Sequence, residues 1–350
     1  MPSAKTETSE LCVAFGILGL DPSRVYPQAE IDERLDRTLS AGKYIAFRSE
    51  YQRDSTLYAR LLAVGQRMAA QHAPLRLAGS VQWTGPFHQA STASGAKDLM
   101  VGNTPVSVKA ESNVVANLSP PNMMVHLPGG TAQSTREENW YLTTCPREFQ
   151  DLYALVRSWR PELRGLSPDV AGFEERATRE DRKRLQEIVG GASRDEKQAF
   201  AEMYEALCHR VAQRSADLFN ENLTASFGTP GRRAVQENLA RWFFRLDAVQ
   251  YVLCGIDRGE EFAVVIPDLT AWLREWDLPA VVAAPDLTRG QSVVDFRVTC
   301  RRKRDRSEHE VMYHAEIRWS HGRFSGAVES KLYKEFAWRD LVFLPSYLAA

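Results

Sequence analysis

Apolar positions recur at helical spacing early in the chain, with Ile31, Leu35 and Leu39 over residues 28–41 and Leu57, Leu61, Leu62, Val64 and Met68 over residues 47–71. Two helices are expected there. Residues 76–84 (RLAGSVQWT) then bring a glycine and a tryptophan, which suits a short strand or loop. From Lys97 to Glu111 the pattern changes to two β-like runs, KDLMV and PVSVKAE, separated by turn-forming Gly102-Asn103. That pattern predicts a hairpin. Residues 117–136 gather proline, glycine, serine and threonine around Met123, Met124 and Val125, the composition of a surface loop with a short apolar anchor.

Helical periodicity returns over residues 147–160 and 179–222, where Phe200, Met203, Tyr204, Leu207 and Val211 alternate with charge. The stretch Phe227-Gly228-Thr229-Pro230-Gly231 predicts a boundary before a further helix over 232–246. The last third is β-like in VQYVLCGI, EFAVVIP, SVVDFRVTC, EVMYHAEIRWS and a segment through LYKEFAW, with a helix over 268–276 between them. An α+β fold follows, without a repeat of fixed period.

With 350 residues the chain can bury one large core or two modest ones. No apolar run approaches the roughly 18 residues of a membrane span, and the opening MPSAKTETSE has no signal-like apolar stretch, so a cytoplasmic protein away from membranes is expected. Cys12, Cys145, Cys208, Cys254 and Cys300 are scattered and form no CxxC pair, which argues against a zinc site or a disulfide framework. They read as buried small hydrophobes. The formal charge of −1 provides no global attraction for a polyanion, so any nucleic-acid surface must come from local clustering.

The hairpin carries the candidate chemistry. In a strand, alternate side chains share a face, so Ser107, Lys109 and Glu111 form one polar row and Val106, Val108 and Ala110 the opposite one. The Gly-Asn turn can fold the preceding strand back so that Asp98 approaches that row. Burying a carboxylate and an ammonium together is costly unless something uses them. Phosphodiester hydrolysis would use both, since carboxylates hold Mg²⁺ and a lysine can orient or activate the attacking water.

In these residues the chain resembles the PD-(D/E)XK superfamily, which includes many restriction endonucleases, with Asp98 at the family's aspartate position and Lys109 at its lysine. The resemblance covers Lys97 to Glu111 and departs at Ser107, where the family carries a second acidic ligand. It implies a restriction-endonuclease-like mixed β-sheet core flanked by helices, and a Mg²⁺-dependent deoxyribonuclease, with Mn²⁺ able to substitute, acting in restriction or defence against foreign DNA. Asp98 would bind metal, Lys109 would position or activate water, and Ser107 would line the site. Glu111, and Glu50 on a helix preceding the core strands, would complete the metal shell. Loose similarity extends to EIRWSHGRFSGAVESKLY. A nuclease core over 1–148, a helical section over 149–230 and a C-terminal α+β part over 231–350 are expected. DNA is the expected partner, with a homodimer if both strands are cut, or a partner subunit of a defence system.

Each residue has a competing reading. Asp98 and Lys109 could form a surface ion pair on an edge hairpin, Ser107 could bond a neighbouring backbone, and Glu111 could be a solvated strand residue. Glu50 could be a first-turn helix acid. The run Arg301-Arg302-Lys303-Arg304-Asp305-Arg306 reads as a solvated hairpin tip or as phosphate contacts. His314 and His321 have no partner at ligand spacing, and no Walker-type loop occurs. A non-catalytic DNA-binding or assembly protein with a degraded site, and an RNA-directed nuclease, stand as alternatives.

Overall fold

The computed structural model describes residues 3–84, 97–131, 139–227 and 232–348. Helices α1 (Ala4–Leu18), α2 (Gln28–Arg34), α3 (Ala41–Arg53), α4 (Ser55–Gln71) and α5 (Ala73–Arg76) lead into strands β1 (Gln82–Trp83), β2 (Leu99–Val101), β3 (Thr104–Ala110) and β4 (Val114–Leu118). A helical stretch follows, with α6 (Leu127–Gly129), α7 (Trp140–Thr144), α8 (Pro146–Ser158), α9 (Val170–Arg176), α10 (Arg179–Gly190), α11 (Arg194–Phe227) and α12 (Arg232–Phe244). The rest comprises β5 (Tyr251–Asp257), β6 (Glu260–Ile266), α13 (Leu269–Glu275), β7 (Trp276–Asp286), β8 (Ser292–Arg302), β9 (Glu308–Trp319) and β10 (Val328–Lys334). The fold is mixed α and β. No helix among the described residues is long and apolar enough to cross a membrane.

The chain forms two compact units, each drawn from separate stretches. Unit 1 is Met1–Asn113 with Arg241–Glu275 and Phe336–Ala350, and unit 2 is Val114–Ala240 with Trp276–Glu335. This differs from the expected division at 148 and 230. The cause is β5, which pairs in parallel with β3 and so returns residues of the last third to the N-terminal sheet.

Unit 1 has a five-stranded mixed sheet in the order β1-β2-β3-β5-β6. Helix α1 starts at Ser3, whose side chain accepts the Thr6 N–H, and stops at Gly19 in the left-handed region. It crosses α4 at Gly16 and Gly65, where a β-carbon on either residue would collide with a carbonyl of the other helix. Leu11, Val13 and Phe15 of α1 join Leu61, Val64 and Met68 of α4 and the strand residues Leu99, Val106, Val108, Val252 and Cys254 in one buried apolar cluster. This burial supplies the main driving force for unit 1.

Unit 2 has a five-stranded antiparallel sheet in the order β4-β10-β9-β8-β7. Helix α11 packs on it, with Phe219 edge-on to Phe296 at 4.9 Å. Trp319 is ringed by Tyr141, Tyr204 and Phe324 at 4.7, 5.7 and 5.2 Å. The edge strand β7 is capped by Asn220: its amide nitrogen donates to the Ala283 carbonyl at 2.8 Å, and its oxygen accepts the Ala283 N–H at 3.0 Å. A side chain thus occupies backbone positions that another strand could otherwise take.

Several expectations need correction. The single helix expected over 47–71 is two, α3 and α4, broken at Asp54, whose carboxylate accepts the Leu57 N–H and starts α4. Glu50 therefore lies in the last turn of α3, not at a helix start. Within 117–136 the described part is no surface loop: a π-helical turn at Asn122–His126 buries Met123 and Met124, and residues 132–136 lie outside the described set. The expected boundary at 228–231 also lies outside it. Helix α1 and strand β7 had no counterpart in the sequence reading.

Candidate active site

The hairpin forms as expected, with β2 antiparallel to β3 and Leu99 opposite Val106. The Asp98 N–H donates to the carbonyl of Val106 at 2.9 Å, the residue already opposite Leu99, so the chain departs from the ladder register at Asp98 as at a β-bulge. Its carboxylate nonetheless reaches the Ser107 side chain, which alternation along β3 places on the face of Lys109, while Leu99, Val106 and Val108 join the apolar cluster.

Asp98 is only 5% exposed and Ser107 is fully buried. The Ser107 hydroxyl donates to Asp98 Oδ2 at 3.0 Å, and the Val108 N–H donates to the same oxygen at 2.6 Å. The carboxylate is thus anchored to β3 by two donors, which rigidifies it in one orientation. Ser107 thus positions Asp98 from the neighbouring strand.

Lys109 lies opposite Gly255 of β5 in the parallel register. Gly255 has φ +139°, and a β-carbon there would overlap the Lys109 carbonyl, so the two strands approach at this point only because the residue is glycine. Burial brings the Lys109 amine down from 10.5 to about 8, and the Arg245 guanidinium pushes it the same way. Asp98 and Glu10 oppose that shift through their negative charge. Glu10 is a buried residue of α1, and the Trp83 indole donates to its Oε2 at 2.8 Å. Arg245 is also buried, just past α12, in a left-handed conformation with φ 56°.

Other expected site residues are not gathered at Asp98. Strand β3 ends at Ala110, and Glu111 follows in a left-handed conformation with φ 57°. The expected two-residue alternation is broken there. The Glu111 carboxylate accepts the Gly259 N–H at 3.2 and 3.4 Å. Glu50 is engaged by Arg53 at 2.9 Å and by the Tyr58 hydroxyl at 3.2 Å. These contacts, Arg53 first, hold its carboxyl below the usual range.

The sequence reading missed Glu10, Arg245 and Gly255. A carboxylate at the start of the apolar stretch LCVAFGIL was a visible signal for Glu10. No local signal marked Arg245, because its approach depends on the parallel pairing of β3 with β5.

In unit 2, Arg301–Arg306 form the β8–β9 turn region, as the hairpin reading expects. Arg301 pairs with Asp277 at 2.9 Å, and Arg302 lies 4.8 Å from the Trp276 ring centroid. His314 hydrogen-bonds Glu335 through Nδ1 and stacks on Tyr333. All five cysteines are free and buried.

Among the described residues no three histidine, cysteine, aspartate or glutamate side chains stand close enough together to hold a metal ion. Mg²⁺, however, is usually held by one or two carboxylates, with phosphate oxygens and water completing its shell. Asp98 is one such carboxylate, with its Oδ2 already accepting the Ser107 hydroxyl and the Val108 N–H, and Glu10 is a second whose charge acts on Lys109. Searches against protein-family models, curated proteins and solved structures each find no match.

Proposed function

We propose that unit 1 hydrolyses DNA phosphodiester bonds with a divalent cation, Mg²⁺ or Mn²⁺, as a restriction-endonuclease-like enzyme acting against foreign DNA. The observation that carries this reading is that the Asp98 carboxylate is locked by Ser107 and Val108 onto β3, the strand that carries Lys109. The mixed sheet with helices packed on it supports the same reading. Glu50 is held by Arg53 and Tyr58 and has no part in it, while Glu10, a buried acid of α1, contributes negative charge at Lys109.

Asp98 would hold the cation. Bound there, it would polarise the scissile phosphate and acidify water. Lys109 Nζ accepts the proton of the attacking water, a task suited to an amine of lowered basicity. Ser107 and the Val108 N–H keep the Asp98 carboxylate oriented, and Arg245 adds positive charge that favours a phosphate. Glu111, turned toward Gly259, has no part in this scheme. A homodimer would match the symmetry of a duplex cut on both strands.

The test is incubation of supercoiled plasmid DNA, and in parallel a structured RNA, with Mg²⁺, Mn²⁺ or EDTA. Nicked or linear DNA with either cation, none with EDTA, and intact RNA are expected. Cleavage of RNA alone would replace DNA as substrate. A second reading, a nucleic-acid-binding protein with a disused site, is favoured by the near-complete burial of Asp98 and the double occupation of its Oδ2. Retained DNA binding with no cutting under any cation would establish that reading instead.

A further inference from the structure

A cleft of about 620 Å³ opens in unit 2 between α10, α11 and the loop after β9. Gln186, Val189, Lys197, Phe200, Gly322 and Arg323 line it, and no carboxylate does among the described residues. Its size falls within the roughly 300–1,000 Å³ typical of small-molecule sites.

The floor has a specific construction. Phe200 and Tyr204 stack at 5.7 Å, and the Arg323 guanidinium lies 4.8 Å from one ring centroid and 4.9 Å from the other. Both rings are buried, whereas Arg323 is exposed. A planar cation is thereby held over an aromatic pair with a solvent-facing side free to stack on another flat group. Lys197, also exposed, stands one turn before Phe200 on α11 and adds a second positive charge. The loop can approach α10 because residue 322 is glycine, with φ +103°. A β-carbon there would collide with the Gln186 amide, which donates to the His321 carbonyl at 3.0 Å.

We propose that this cleft binds a nucleoside monophosphate unit, its base stacked on Arg323 and its phosphate paired with Lys197. An aromatic plane and an anion in one ligand match an aromatic-backed guanidinium and an ammonium in one cleft. The assignment is independent of the Asp98–Lys109 site.

The test is calorimetric titration of the full chain with AMP, with adenosine and inorganic phosphate as partial ligands. Saturable AMP binding is expected, at least tenfold tighter than either partial ligand. Arg323→Ala and Lys197→Ala should each weaken AMP binding at least tenfold, and Lys43→Ala in unit 1 should leave it unchanged. Ala201→Trp, which fills the cleft from its wall, should abolish binding while circular dichroism stays native. With AMP bound, competition by a single-stranded oligonucleotide would assign the cleft to a nucleotide within a strand, and its absence to a free nucleotide. No AMP binding by the wild-type chain at millimolar concentration, or wild-type affinity in both the Arg323 and Lys197 variants, would overturn the proposal.

Discussion

Replacing Asp98 with alanine should destabilise unit 1 by an amount set by the groups it leaves behind. The Ser107 hydroxyl and the Val108 N–H both donate to Asp98 Oδ2 in a buried setting. A buried donor stripped of its acceptor costs about 1–3 kcal/mol, so two of them amount to about 2–6 kcal/mol. Relief of the carboxylate's own burial offsets part of this, which leaves about 2–4 kcal/mol. Asp98→Asn keeps an oxygen acceptor and should cost about 1 kcal/mol. Ser107→Ala removes one donor while the Val108 bond remains, also at about 1 kcal/mol. The double variant Asp98→Ala/Ser107→Ala should cost less than the sum, because the stranded hydroxyl is gone. Urea unfolding of the four variants at pH 7, read by tryptophan fluorescence, measures these differences. Asp98→Ala within about 0.5 kcal/mol of wild type, or strict additivity in the double variant, would refute the bonding scheme.

Lys109 should leave a mark on the pH dependence of stability. Its folded value of about 8 lies below the 10.5 of an ordinary lysine, so between these values the unfolded chain binds more protons and stability rises with pH. The rise is on the order of 2–3 kcal/mol and should vanish in Lys109→Met, as urea titrations of both proteins at pH 7.5 and 10 would show. Gly255→Ala should prevent normal pairing of β3 with β5, because its methyl group would overlap the Lys109 carbonyl. Loss of soluble protein, or a fall in melting temperature of about 10 °C or more (about 3–5 kcal/mol), is expected, and an unchanged melting curve would contradict the close approach. Asn220→Ala should expose the capped edge of β7 and leave monomer stability within about 1–2 kcal/mol while raising concentration-dependent aggregation in light scattering.

What the sequence made legible was local. The Gly102-Asn103 turn and the alternation around Val106 and Val108 were enough to pair β2 with β3, because hairpin register follows from neighbouring residues, whereas the departure from register at Asp98 had no local signal. Glu111 was misplaced because the alternation was extended one residue past the strand, where a positive φ turns the chain. Helix α1 lacked a polar stripe to reveal its period, since its residues from Thr8 to Ile17 are all buried. That concealed Glu10. Arg245 and Gly255 reach Lys109 only through a parallel pairing that spans more than a hundred residues, and no local pattern encodes such a contact. The interleaved units follow from the same pairing.

The central claim is that Asp98 and Lys109 act together on a phosphodiester, and a single-turnover cleavage rate on end-labelled duplex DNA with Mg²⁺ tests it most directly. Asp98→Asn and Lys109→Ala, each confirmed folded, should lower the rate about 10²-fold or more, while Glu111→Gln and Glu50→Gln stay near wild type. Wild-type rates in the Asp98 and Lys109 variants, or a loss confined to Glu111 or Glu50, would contradict it.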